Sequence, residues 1–253
     1  FGDAKSFDEV EATSVSIAQE SLVMVPEWIK QQPAGQSLHV RRLKLRSVKL
    51  AVKALELQPF DADISLGSNG ALRRARLSDG KLRLDISPKD KAMRVGLEAN
   101  NWKPPLGPAV EFDELTLEAI FEPQQASITN IEGKIGFAPV KGSARANWGS
   151  GGIRVEGDFS VTKGDLAKLM AMLTRDFSAT GQLNANATYA LQGTTLENLF
   201  AEQKVEATFN IDSGVLNNVD LVRSVQSPSR DGVRGGNTRF NTLTGSLQVA
   251  GRN

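Results

Sequence analysis

Hydrophobic and polar residues alternate along most of this chain. Phe60, Ala62, Ile64 and Leu66 interleave with Asp61, Asp63 and Ser65, and Leu82, Leu84 and Ile86 interleave with Arg83 and Asp85. Met93, Val95, Leu97 and Ala99 continue the pattern, followed by Leu115, Leu117, Ala119 and Phe121 and then by Ala144, Ala146 and Trp148. Leu183, Ala185, Ala187, Tyr189 and Leu191 follow, then Val205, Ala207, Phe209 and Ile211, then Leu243, Leu247 and Val249. A period of two puts one residue class on each face of a strand. Such runs predict antiparallel strands covered on one side only.

Turn signals separate the runs. Asn69-Gly70 and Asp79-Gly80 are hairpin dipeptides, and Gly149-Ser150-Gly151-Gly152 divides the Trp148 run from the one beginning at Ile153. The order strand, turn, strand predicts a meander. The alternation slips phase between Leu45 and Val48 and again between Val52 and Leu55, which predicts bulges or a tight turn. Helical signals are short. Leu166, Leu169, Met170 and Leu173 sit at helical spacing behind an N-cap candidate, Asp165. Thr194 and Glu197 form a capping-box pattern before Leu199 and Phe200. Asn218 stands ahead of Leu221, Val222 and Val225, and residues Pro26 to Gln32 make a fourth candidate. The Pro104-Pro105-Leu106-Gly107-Pro108 stretch cannot be regular structure, so it marks either an internal juncture near 103–108 or a kinked crossover within one sheet.

Some 12 to 15 strands are read this way, and open sheets rarely exceed ~10 without curling, splitting or flattening. Three or four short helices cannot cover so many apolar faces. Either the sheet folds over as a sandwich or barrel, or it curls into a trough. Aromatics make up 6% of the residues, which disfavours a thick sandwich core. The expected fold is mainly β: one continuous unit over residues 1–253, a long, strongly curled, antiparallel amphipathic sheet forming a trough or β-groove, with three or four short helices.

Composition narrows the chemistry. The net charge of +1 gives no global field for nucleic acid. There are no cysteines, which removes disulfides, thiolate metal sites and cysteine nucleophiles. His39 is the only histidine, so a multi-histidine metal site is impossible. No nucleophile elbow, P-loop or complete dinucleotide fingerprint occurs. Asp61 and Asp63 share a face, but it is the polar one, where a solvated pair does no acid–base work. The reading is therefore of a chain that is not an enzyme and needs neither cofactor nor metal. No stretch approaches the ~18 apolar residues of a membrane span. Because it starts at Phe1, the sequence reads as a mature protein or an excised segment, with any anchor outside it.

Two charge runs stand out. Arg41, Arg42, Lys44, Arg46, Lys49 and Lys53 are basic, with Arg73, Arg74 and Arg76 beyond; Glu111, Asp113, Glu114, Glu118 and Glu122 are acidic. These are either outer strand faces paired across the sheet, or a rim for lipid headgroups or a partner. Arg41, Arg42, Lys44 and Arg46 are the rim candidates. The basic run has no interleaved aromatics for base stacking, which argues against nucleic acid.

The last third carries a more specific pattern. Val205 to Leu216 reads strand, then Gly214-Val215-Leu216; Asp220-Leu221 follows; and Thr238-Arg239-Phe240 precedes Leu243-Thr244-Gly245. Together with Trp102, Pro105-Leu106-Gly107-Pro108, Lys141-Gly142, Trp148 and Asp165-Leu166, this resembles the AsmA-like family of bacterial envelope proteins, over residues 38 to 253. The resemblance implies a periplasmic segment of an inner-membrane protein, anchored through an N-terminal helix that this sequence lacks. It also implies a β-groove for phospholipid or another apolar ligand, and a role in outer-membrane homeostasis. The groove candidates are Leu183, Ala187, Tyr189, Val205, Phe209, Ile211, Leu247 and Val249. The alternative is an envelope assembly or scaffold protein that binds another protein through its sheet edge or apolar face.

Overall fold

The computed structural model describes residues 6–18, 39–51, 57–173, 178–219 and 234–251. Among them the protein is one large sheet of fourteen strands with a single helix. The strands are β1 (Ser6–Thr13), β2 (Ser16–Ala18), β3 (His39–Ala51), β4 (Phe60–Leu66), β5 (Leu72–Ser78), β6 (Leu82–Lys89) and β7 (Ala92–Trp102). They continue with β8 (Phe112–Glu122), β9 (Gln125–Ile135), β10 (Ala138–Gly149), β11 (Gly152–Asp165), β12 (Ala179–Gly193), β13 (Glu202–Val219) and β14 (Arg234–Ala250). Helix α1 (Leu166–Leu173) lies between β11 and β12.

From β3 to β14 the spatial order is the sequence order, every neighbour antiparallel. This is the meander that the turn signals predict. At Asp79-Gly80, Gly80 takes a φ of 92° and the Asp79 carboxylate accepts from Lys81 N at 2.9 Å and Leu82 N at 2.7 Å, so an aspartate-backed turn closes the hairpin. The antiparallel expectation needs one correction: β1 and β2 pair parallel to β3.

The predicted slip between Leu45 and Val48 is a bulge, with Ser47 at φ 52° and its N–H donated to Asp61 Oδ1 at 3.0 Å. The slip between Val52 and Leu55 lies outside the described residues. The proline stretch lies in residues 103–111, which link β7 to its antiparallel neighbour β8 in the same sheet.

The helix count differs from expectation. α1 forms where its spacing predicts, and Asp165 Oδ1 caps it by accepting from Ala167 N at 3.0 Å and Lys168 N at 3.3 Å. Residues 194–201 make successive turns instead, with Asn198 bonded to Thr194 Oγ1 and Thr195 N. Asn218 caps no helix, because β13 runs on through it. The helix candidate beyond it and the one at Pro26 to Gln32 lie outside the described residues.

No second sheet lies on the first among the described residues, and beyond its sheet neighbours the one substantial packing is α1 on β12 and β11. There Leu166, Ala179 and Ile211 form a buried cluster with Met170, Leu183, Phe209, Leu216, Phe240 and Leu243. A second long-range contact joins two loops. A Cβ placed on Gly107 would stand 2.8 Å from Phe200 Cζ, so the loop 103–111 touches the turns at 194–201.

Candidate functional site

Strand registers assemble the alternating residues into rows that cross the whole sheet. One row runs Val10, Leu43, Ile64, Ala75, Ile86 and Val95. It continues through Ala119, Ile128, Ala144, Gly157, Tyr189, Val205 and Val249. The row beside it runs from Ala12 and Leu45 through Leu77, Leu97, Leu117 and Ile131 to Phe159, Ala187, Ala207 and Leu247. No charged residue interrupts either row. At roughly 4.8 Å per strand, twelve steps from β1 to β14 make an apolar lane of about 58 Å.

Glycines let the larger rings lie down on this face. A Cβ on Gly157 would meet Tyr189 Cζ at 2.7 Å, and one on Gly245 would meet Phe209 Cζ at 2.6 Å. The ring of Phe240 occupies the space over Gly214, its register partner. Gly214 and Phe240 both belong to the C-terminal sequence pattern, so part of what reads as punctuation in the chain is one cross-strand contact. Tyr189 keeps its polar tip satisfied by donating Oη–H to Ser143 O at 3.3 Å. Burial first, and then the Asp158 carboxylate, hold its phenol above the ordinary tyrosine range.

The eight groove candidates all belong to this face, but not to one environment. Leu183, Phe209 and Ile211 lie in the cluster under α1. Ala187 is buried, and Tyr189 and Val205 are half-buried. Leu247 is 52% exposed and Val249 36%. The candidates thus divide into a covered end and an open lane.

Of the four rim candidates, Arg42, Lys44 and Arg46 lie on the opposite face, whereas Arg41 shares the parity of Leu43 and Leu45 and stands beyond them on the apolar side; all four are held in β1–β3–β4 ion pairs. Arg41 meets Asp8 at 3.2 Å, Lys44 meets Glu9 at 2.8 Å, and Arg46 meets Glu11 and Asp61 at 3.3 Å each. Arg42 binds Asp63 through two nitrogens. Register explains this: Glu11, Lys44, Asp63, Arg76 and Asp85 stand in line across five strands with alternating sign. The acidic run is paired the same way, Glu118 with Arg94 and Glu114 with Lys134 at 2.9 Å. The first residues of this ladder, Glu9 and Glu11 of β1, are a partner set the basic run did not disclose; the only signal was their alternation with Val10 and Ala12.

Two depressions, ≈ 520 Å³ and ≈ 490 Å³, lie between rows of polar residues and also touch the second apolar row. The first opens where Gly96 interrupts the charge ladder between Asp85 and Glu118; the second is lined by short polar chains such as Ser160, Asn186 and Thr208 together with Ala187 and Leu247 of the second apolar row. Around the first, Arg74 and Arg76 both pair with Asp85. These depressions follow from missing side-chain bulk, and the apolar lane is an open surface instead of a cavity. Among the described residues no group of three or more potential ligands gathers for a metal, and no helix is long and apolar enough to cross a membrane.

No family model, curated protein or solved structure matches the chain.

Proposed function

We propose that this chain is a non-catalytic, lipid-handling segment of an AsmA-like envelope protein, its sheet bent into a trough whose apolar lane carries phospholipid acyl chains between membranes. The observation that carries the reading is the pair of apolar rows from β1 to β14, on which, among the described residues, no second sheet lies and only α1 and the turns around Leu199 pack. A monomeric soluble protein rarely leaves a contiguous apolar surface of this extent without an occupant. Acyl chains suit it, since each buried methylene contributes about 0.8 kcal/mol and no dedicated polar site is needed. A periplasmic setting, with a membrane anchor N-terminal to this segment, belongs to the same proposal.

The contact between Gly107 and Phe200 supports the bend. In a meander the connections alternate between the two ends of the strands, so loop 103–111 and turns 194–201 leave the sheet at opposite ends, four strands apart. On a flat sheet those corners would be separated by ~40 Å, given ~3.3 Å per residue along a strand and ~4.8 Å between strands. Loops of this length, tied down at both ends, each reach about 15 Å. Curvature toward the apolar face brings them together. Leu199 belongs on that face, being buried against Gly193.

The test is native mass spectrometry and lipid extraction of protein purified without harsh detergent. Phospholipid should co-purify and be displaced by a fluorescent fatty acid. A lipid-free chain that also takes up no fatty acid would overturn the reading.

A second reading rests on β14. This strand has no partner on its outer side among the described residues, and from Phe240 to Ala250 it carries neither charge nor proline. Protected edges normally carry such features, and β1, at the other edge, carries Asp8, Glu9 and Glu11. An envelope scaffold that receives a strand from another protein would use this edge, and crosslinked envelope extracts with a stable partner and no bound lipid would favour it.

A further inference from the structure

We infer that the β9–β10 hairpin tip, together with the adjoining face of α1, is a docking point for the surface of an anionic phospholipid bilayer, with Phe137 as the inserted side chain. The inference rests on the lipid-handling reading and says where that chain meets the membrane. The hairpin turns through Gly136 and Phe137, with φ of 58° and 67°. Two positive φ values in succession define a turn whose natural occupants are asparagine, aspartate and glycine, and a bulky side chain there is strained. Phe137 is also 72% exposed. One residue therefore opposes both its backbone preference and the burial of its ring, and nothing in the turn needs an aromatic.

The surroundings specify the partner. Helix α1 packs beside the turn: a Cβ on Gly136 would meet Lys168 Cβ at 3.4 Å and Met172 Cε at 3.6 Å. Met172 is itself exposed, and Lys168 Nζ stands 4.8 Å from the centre of the Phe137 ring. Lys163 lies exposed at the same end of β11. The two nearby acids point their oxygens at backbone donors. Asp113 Oδ2 accepts from Phe137 N at 2.7 Å, and Asp165 caps α1 while only reaching Lys168 Nζ at 4.0 Å. The tip thus offers an aromatic ring and a thioether flanked by ammonium groups. Amphipathic lysines with an aromatic anchor suit the boundary between anionic headgroups and acyl chains. The same α1 covers the buried end of the apolar lane through Leu166, so the docking point adjoins the proposed lipid path.

The experiment is co-flotation of the full chain with vesicles of zwitterionic phospholipid, with and without added anionic phospholipid. Wild-type chain and Phe137→Leu should float with the anionic vesicles, and Phe137→Ser should bind about tenfold more weakly, the change that ~1.4 kcal/mol produces. Lys168→Gln should lower binding to anionic vesicles only. Because Phe137 is on the surface, circular dichroism of the serine variant should match the wild type. Unchanged flotation of Phe137→Ser, or no flotation of the wild type, overturns the inference. Uptake of a fluorescent fatty acid in vesicle-free solution is measured alongside. Its loss in the wild type would count against the lipid-handling reading, while flotation decides the docking point.

Discussion

Asp63 and Asp85 sit on the polar face, each bound to an arginine of a neighbouring strand. The Arg42 guanidinium hydrogen-bonds Asp63 and holds its carboxyl below the ordinary aspartate range, and Arg74 does the same for Asp85. A carboxyl depressed on folding contributes stability above its unfolded value, near 3.8, and loses it as pH falls through the lower folded value. The urea midpoint should therefore fall as pH drops below about 4, and the joint variant Asp63→Asn with Asp85→Asn should flatten that limb. Both arginines are half-exposed, so added salt should shrink the effect. Tryptophan fluorescence at several pH values reads the midpoint, and an acid limb unchanged in the double variant would remove these pairs from the account. The charge pairing was legible in outline, because basic and acidic runs on alternating strands imply partners. The identity of each partner was not, since it depends on register, and register depends on bulges such as Ser47 that shift the phase without leaving a strong sequence mark.

At the scale of elements, helix α1 is the one helix among the described residues that closes part of the apolar face. Its spacing and its aspartate cap could be read directly, because both are local. Its packing against Ile211 and Phe240 could not, because those residues arrive from strands 40 and more positions away. The strand β9 was hidden for a related reason. Ile128 and Ile131 both join the apolar rows, three residues apart, because a bulge falls between them, and period two is lost there. Residues 194–201 mimic a capped helix but fold as turns that lay Leu199 on Gly193. Leu166 is 7% exposed, and truncating a buried leucine to alanine costs about 2–5 kcal/mol. Leu166→Ala should therefore destabilise the ends of β11–β14 first. Hydrogen exchange should show lost protection at Ala179, Ile211 and Leu243 while β5–β8 keep theirs; a uniform loss across the sheet would mean that α1 stabilises the whole and not its end.

For the whole molecule, the important fact is that, among the described residues, each strand from β4 to β13 touches chiefly its two sequence neighbours, β11 and β12 adding their contacts with α1. A structure of this kind resembles a repeat array, whose stability is a sum over units and nearest-neighbour interfaces. Among the described residues no core is shared by all the strands, and such a core is what makes a compact domain unfold in one step. Alternation in the sequence disclosed the single amphipathic sheet, but it could not say whether the apolar faces meet each other. That question is decided by contacts between distant elements, and Gly107 with Phe200 is the one that two short loops leave behind. Native-state hydrogen exchange in low urea should accordingly reveal graded opening. Amides of β1 and the outer half of β14 should open with the smallest free energies, the middle strands with larger ones, and the α1-covered ends of β12 and β13 with the largest. A single opening free energy shared by all slow amides would show that the sheet is locked across its face, and the open lane would then have to be abandoned. If acyl chains occupy the lane they bind the folded sheet and not the unfolded chain, so a fatty acid at a hundred times its Kd should raise stability by about 2.7 kcal/mol. The rise should appear in the middle strands, where α1 does not reach the two apolar rows, and leave the ends under α1 least changed.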